Sequence, residues 1–471
     1  MSMGTLNMVA QSVNGTLIGM DQNFDSISTD TRSLQSRQLF FALRGEHFNA
    51  GEFIAEAERR GAAGAVVETR QDIDLPQVEV ADTRVALGAL ARTWRAQFDM
   101  PVIGVTGSNG KTTVKEMIAA ILRVHFGTPN KVLATIGNLN NEIGLPLSIL
   151  RLRDTHAAAV LEMGASQRGD IAYLAAIAQP TIGIVTNAGA AHLEGFGTEQ
   201  VVAETKGELF ANLGTSLGVN KSVDTVAVIN RDDRYFDLWC RLAQPARVVS
   251  FGLNDAADYV AEAVQETVTG QEFELSFNVR EANDRVSIKL PMIGRHNVLN
   301  ALGAIAVTRT VGASWDSVKA GLAATEGVTG RLRTIKGPGG VQIIDDTYNA
   351  NPVSVAAAIA VLAGIGGRTW LVLGDMAELG DHSQELHADI GRQAKQAGIE
   401  RLFTLGEESR AAAKAFGSGS QEFTDREAVI AALGEVAEKN LTILIKGSRC
   451  MGMEKLVQDL VGVNGNQEGQ A

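Results

Sequence analysis

Apolar residues along the chain fall into two spacings. Continuous runs of about four to eight, closed by glycine or polar residues, predict buried strands, and stripes at i, i+3, i+4 and i+7 predict helices with one face on a core. Over residues 1–98, LFFAL (39–43), GAVVE (64–68) and QVEVAD (77–82) read as strands, with helices over GEFIAEAERRGA (51–62) and TRVALGALARTWRAQF (83–98). A second segment opens at Met100-Pro101 with the strand PVIGVT (101–106) and a glycine loop. Val114, Met117, Ile118, Ile121, Leu122 and His125 then form a helical stripe. Further strands are AAAVLEMG (157–164), TIGIVTN (181–187) and TVAVIN (225–230). Strands alternating with helices predict a mainly parallel sheet. Residues 257–290 run strand after strand, an antiparallel insertion or edge, and a helix follows from His296 to Thr310. After Gly327 the alternation restarts: GVQIIDDTYNANP (340–352), RTWLVLGDM (368–376) and LTILIKGSR (441–449) are strands running into polar or glycine loops.

The pattern predicts an α/β protein of three domains. A small N-terminal α/β domain spans 1–98, a central parallel-sheet domain with the glycine loop 99–327, and a C-terminal Rossmann-like domain 328–471. The tail 462–471 has no periodicity and is expected to be disordered. The uncharged stretch Ile171–Leu193 is long enough to raise a membrane span, but Pro180 and its polar residues break it into a helix and a buried strand.

Composition narrows the function. In a chain of 471 residues, 45% hydrophobic side chains suffice for several cores. A net charge of −12 argues against nucleic acid and anionic membranes as partners. Two cysteines make no disulfide framework and suit a reducing cytoplasm. The opening MSMGTLNMVAQSV has neither the basic nor the apolar part of a signal peptide. A cytoplasmic protein acting on small molecules is expected, with a monomer as its working state.

The glycine loop GVTGSNGKTT (104–113) carries the sharpest chemistry. It follows a strand and opens a helix, the setting in which backbone N–H groups and a helix N-terminus hold phosphate. Gly107 and Gly110 allow close approach, Ser108, Asn109 and Thr113 complete the cradle, Lys111 reaches β- and γ-phosphates, and Thr112 offers a hydroxyl to Mg²⁺. Gly104 stands seven residues before Lys111 where six is usual, and Val105 occupies the usual glycine position. ATP and Mg²⁺ are therefore the expected cofactors. Glu162 ends a strand of the same sheet, where metal ligands and salt bridges both occur. His192 follows another strand and is either a ligand or a structural hydrogen-bonder. Lys206 reads as a solvated helix residue, and the asparagines of NLNNEIGLP (138–146) as turn chemistry. Asp345 and Asp346 repel one another unless a cation or donors compensate. Arg331, at the junction of the second and third domains, either reaches a phosphate on closure or forms an interdomain salt bridge.

These residues together resemble the Mur ligase family of three-domain, ADP-forming amide ligases. The resemblance covers nearly the whole chain. It rests on the long-form phosphate loop, STDTR with LFFALRGEHFNAGEF (28–53), NLNNEIGLP, AHLEGFG (191–197), GRHNVLNALGAIA (294–306), DDTYNANP (345–352) and GDMAELGDHSQELH (374–387). It implies that Glu162 and His192 bind a second Mg²⁺ and that Lys206 is carbamoylated to help hold it. It places Asn297 and Asn300 near adenine, Arg331 near the phosphates and Asp346 at the ribose. Thr29, Asp30, Thr31 and Arg32 would bind the uridine nucleotide, and Asn138, Asn140, Asn141, Tyr348 and Asn349 would face substrate. The implied reaction activates the carboxylate of a UDP-N-acetylmuramoyl-tripeptide as an acyl phosphate and joins it to D-alanyl-D-alanine. A sibling ligase with another amine substrate shares the phosphate loop, as does a nucleotide switch that hydrolyses ATP without an acceptor.

Overall fold

The computed structural model describes residues 2–45, 49–189, 193–214, 224–269, 272–282, 284–325, 329–434 and 440–462. His192, the junction at 327 and the tail beyond 462 lie outside them, so those expectations have no structural counterpart here.

Three large sheets divide the described chain. The first joins Thr16–Ile18, Gln77–Glu79, Gly64–Val67, Gln38–Phe41 and Ser26–Ser28 in that order, parallel apart from its first pair. The central sheet is built around β1 (Val102–Thr106), which lies between β2 (Ala158–Glu162) and β3 (Ile182–Val185), all parallel. It continues through Val226–Asn230 and Arg247–Gly252 and ends in the three long strands Tyr259–Thr269, Glu272–Glu281 and Asp284–Leu290, paired antiparallel. That edge is the one the run of strands at 257–290 predicts. In the third sheet β4 (Gln342–Asp346) lies beside β5 (Leu441–Lys446), with Arg368–Gly374, Arg401–Leu405 and Ser420–Phe423 beyond.

The helices follow the apolar stripes. α1 (Lys111–His125) buries Val114, Met117, Ile118, Ile121 and Leu122 against the central sheet. Each such burial contributes about 1.5–3 kcal/mol. α2 (Glu199–Ala211) packs on the opposite face, and α3 (His296–Thr310) covers the same face as α1. α4 (Pro352–Gly364) opens the third unit's layer, with proline in its first position, where no N–H is needed.

The cores are distributed unevenly. Leu6, Phe24, Phe41, Val78, Leu87 and Leu90 of the first unit share one cluster with Leu161, Ile177, Phe210 and Trp239 of the central unit. The two faces of the third sheet bury their own clusters, around Ile344 and Leu373 on one side and Trp370 and Ile443 on the other. Arg95, 1% exposed at the end of the helix Thr83–Arg95, donates to the carbonyls of Phe98, Ala178 and Gln179. Beside it, Trp94 Nε1 donates to Leu152 O at 3.2 Å.

Several elements depart from the expected pattern. Val132–Ala134 and Arg247–Gly252 are strands that periodicity passes over. The segment NLNNEIGLP, read as a turn, runs into a short helix, Gly144–Ile149. Asn141 Oδ1 accepts the Gly144 N–H at 2.8 Å, and Pro146 sits in the first turn, where its missing N–H costs nothing. Residues 171–185 are a helix, a Pro180 break and β3, as expected, and no helix among the described residues is long and apolar enough to cross a membrane.

Candidate active site

The phosphate loop takes its shape from two glycines. Gly107 has φ +144° and its missing Cβ would lie 2.0 Å from Thr186 Oγ1. Gly110 has φ +82° and its Cβ would lie 2.4 Å from Asn300 Oδ1. No side chain could occupy either position. Gly110 is also the residue before α1, and no side chain caps the helix there. The first-turn N–H groups of α1 are thus left as donors for an anion, with the helix dipole behind them. Gly104, by contrast, lies inside β1.

Lys111 folds back over the loop. Its Nζ donates to Gly107 O at 2.7 Å and Ser108 O at 3.2 Å. Burial pushes its pKa down to about 8, against the opposing pull of Glu162. Thr112 Oγ1 donates to Glu162 Oε2 at 2.9 Å, and Asn140 Nδ2 donates to Glu162 Oε1 at 2.8 Å. Glu162 is buried at the carboxyl end of β2. Two hard oxygen ligands therefore meet beside the loop, a donor set suited to Mg²⁺ that keeps phosphate and water as its other ligands. No cluster of three or more His, Cys, Asp or Glu able to hold a metal occurs among the described residues.

Lys206, on α2, is 2% exposed, which overturns its reading as a solvated lysine. Its Nζ stands 5.5 Å from the Phe196 ring. Burial, reinforced by the nearby Lys111 ammonium, lowers its pKa to about 7.

The third unit meets this loop at two points. Arg331 Nη2 donates to Thr112 Oγ1 at 3.2 Å, and its buried Nε has no hydrogen-bond partner among the described residues. Asn351 caps α4 through Oδ1, which accepts from Ser354 N, and donates through Nδ2 to Asn109 Oδ1 at 3.0 Å. Asn109 is itself tied to the end of β3: its N–H goes to Asn187 Oδ1, and its carbonyl accepts from Thr186 Oγ1 and Asn187 Nδ2.

A cleft of about 610 Å³ runs between these parts. Ser108, Asn109, Gly110, Lys111, Thr113, Asn138, Asn140, Asn141, Glu162, Asn297, Asn300, Arg331, Asp346, Tyr348 and Asn349 of the sequence candidates all line it. Asn297 and Asn300 are bonded to one another at 2.9 Å. Asp346 is not free: Lys446 Nζ donates to it at 2.6 Å and Leu332 N at 3.2 Å. Burial raises its pKa while Lys446 pulls it back. Asp345 accepts from Thr347 and Gly330, so protein donors compensate both adjacent carboxylates. Thr29, Asp30, Thr31 and Arg32 are not part of this cleft lining. They follow the strand Ser26–Ser28 on the first unit, where Arg32 pairs with Asp30 at 2.7 Å.

Sequence reasoning missed Asn187, Asn230, His296, Asn351 and Lys446, all cleft-lining. Asn187, Asn230 and Lys446 stand at or just past the carboxyl ends of predicted strands, a usable signal. His296 adjoins the predicted Asn297, and burial lowers its pKa to about 4.

The phosphate loop, the Thr112–Glu162 pair and a third unit closing on the loop define a nucleotide-dependent ligase of three domains. Residues 105–308 match the family model of the Mur ligase middle domain, and residues 330–449 that of the Mur ligase glutamate ligase domain. The chain belongs to the Mur ligase family. It is 42% identical to UDP-N-acetylmuramoyl-tripeptide–D-alanyl-D-alanine ligase of Escherichia coli strain K12, over 97% of this chain and 98% of that one. Among solved structures it is similar to MurF from Acinetobacter baumannii, with TM-score 0.88 and 33% identity over 97% and 98% of the two chains. It is also similar to MurF ligase from Thermotoga maritima in complex with ADP, with TM-score 0.81 and 30% identity over 93% and 97%.

Proposed function

We propose that this protein is a cytoplasmic ATP-dependent ligase that joins D-alanyl-D-alanine to a UDP-N-acetylmuramoyl-tripeptide, a step of peptidoglycan precursor synthesis. The observation that carries the reading is one cleft lined by the phosphate loop, by Glu162 and by Arg331, Tyr348 and Asn349 of the third unit. A switch that only hydrolyses ATP has no use for so large a shared cavity beside its phosphates.

In this reading the first-turn N–H groups of α1 and Lys111 hold the ATP phosphates, with Asn297 and Asn300 toward the base and Asp346 toward the ribose. The tripeptide carboxylate attacks the γ-phosphorus and ADP leaves. The dipeptide amine then attacks the acyl phosphate carbonyl, and phosphate leaves as the new amide forms. Thr112 would hold one Mg²⁺, and Glu162, His192 and a carbamoylated Lys206 a second; the metals would supply positive charge that offsets the repulsion of the two reacting anions. Arg331, which lines the same cleft and donates to Thr112 of the loop, reaches the phosphates. Closure of the third unit keeps water from the acyl phosphate. A lysine with a pKa of about 7 holds much of its amine neutral near neutral pH, the form that reacts with CO₂.

Thr29, Asp30, Thr31 and Arg32 bind the uridine nucleotide, and Asn138, Asn140 and Asn141 face the substrate cleft. Units at 1–98, 99–327 and 328–471 divide these tasks within a monomer. The test is ADP release from purified protein with UDP-muramoyl tripeptide, with and without D-alanyl-D-alanine. Release that needs both is expected; release indifferent to the dipeptide rejects the reaction.

A further inference from the structure

The turn after β5, Lys446-Gly447-Ser448-Arg449, is built more tightly than a connection requires. Ser448, 1% exposed, donates to Ala350 O at 3.2 Å and accepts the Ala377 N–H at 2.7 Å, while its own N–H goes to Asp375 O. Arg449 N donates to Asn349 Oδ1 at 3.3 Å. The turn thus holds Arg449 against the segment that supplies Tyr348 to the cleft. The Arg449 guanidinium stands 5.6 Å from the Tyr348 ring centroid, and Arg331 stands 4.2 Å from the same centroid.

Arg449 stands next to the cleft-lining Tyr348 and Asn349 and is not itself part of the lining, whose own cations are already engaged. Lys111 lies on loop carbonyls, Arg331 on Thr112 and Lys446 on Asp346. Arg449 is 61% exposed and has one loose partner among the described residues, Glu454, 3.5 Å from Nη1. Among the described residues its Nε–Nη2 edge has no hydrogen-bond partner, and that is the edge a carboxylate takes with two parallel hydrogen bonds.

We propose that Arg449 is the receptor for the terminal carboxylate of the incoming dipeptide, and so selects an amine substrate that ends in a free acid. The assignment rests on the ligase reading above. The spacing suits it. Both guanidiniums stand over the Tyr348 ring and so lie no more than about 10 Å apart, with Arg331 marking the phosphate end. Two extended residues span about 7 Å, so a dipeptide held at Arg449 by its carboxylate brings its amine toward the activated carbonyl.

The experiment compares D-alanyl-D-alanine with its C-terminal amide in ADP release, using wild type, Arg449→Ala and Arg449→Lys. Wild type should prefer the acid. Arg449→Ala should raise KM for the acid by about 10–100-fold, the loss expected for a charge-assisted hydrogen-bonded pair, and leave the amide, ATP and UDP-tripeptide constants within about twofold. Arg449→Lys, which keeps the charge but not the fork, should fall between. The side chain is mostly exposed, so thermal midpoints should match wild type. Equal loss on acid and amide, or a wild type indifferent between them, overturns the assignment while the ligase reading stands. A wild type with no dipeptide-dependent ADP release removes both.

Discussion

In the proposed reaction two lysines set the chemistry at the scale of single residues; Lys206 is buried and Lys111 half-buried, and both have lowered pKa values. Lys111 acts on charge that develops at the γ-phosphate, so Lys111→Ala should lose at least about 10²-fold in kcat with its fold intact. Steady-state ADP release on protein of unchanged circular dichroism checks it, and near-normal turnover rejects the phosphate loop. Lys206 makes a prediction about stability in the unmodified, ligand-free protein. Its folded pKa of about 7 lies below the usual 10.5 of a lysine. Between those values the unfolded chain binds the extra proton, so stability rises with pH across that window, and the burial penalty is full below about pH 7. Lys206→Met removes the penalty. It should stabilise the apoprotein by on the order of 1–4 kcal/mol at pH 6 and by much less at pH 9.5. Urea unfolding at the two pH values decides; a constant difference would place the effect in packing instead. Lys206→Ala should be inactive and regain part of its activity with added short-chain carboxylates, which can fill the gap left at the metal. Full activity without them would remove Lys206 from the site.

Among the elements, α4 is held by a residue with two duties. Asn351 caps the helix with its oxygen and reaches the phosphate loop with its nitrogen. Asn351→Ser keeps a good cap but cannot span to Asn109. Thermal stability should stay within about 0.5 kcal/mol, while kcat falls by about 3–10-fold, the worth of one hydrogen bond made on closure. Asn109→Ala should do the same, and the double variant no more than either, because one contact is lost in each case. Losses that multiply would show that the pair does not act together. Such an interdomain bond is invisible in sequence, since nothing local marks 109 and 351 as neighbours. What was legible followed from local rules. The α1 stripe, the parallel strands and the strand run at 257–290 came through because periodicity reports which face is buried. The glycine loop came through because its neighbours, a strand and a helix, were legible as well. The strand Val132–Ala134 and the helix Gly144–Ile149 were missed, being too short to show a period and flanked by Gly and Pro. Burial of Lys206 was beyond composition, since a helix with apolar residues on most sides gives no polar face to place it on. Lys446 and Asp346, a hundred positions apart, meet only through the pairing of β4 with β5.

For the whole molecule, the distribution of cores predicts how it comes apart. The first and central units share one apolar cluster and are pinned by Arg95, whereas the third unit's clusters take in only Ile293 from the central unit. Calorimetry should resolve two transitions. Arg95→Leu takes this donor from two buried carbonyls and a half-buried one and should lower only the transition of the first two units, by about 2–4 kcal/mol. A single peak that shifts as a whole would mean the third unit is coupled more strongly than its few polar contacts imply. The same arrangement bears on how such an enzyme can change over generations. The central unit, with its phosphate loop, is locked to the first unit by a common interior, so an alteration in one is felt in the other. The unit that supplies Tyr348 and Arg449 touches them through a handful of side chains at one rim. A lineage can therefore redraw the pocket for the incoming amine, or exchange that whole unit, while the phosphate chemistry is inherited unaltered.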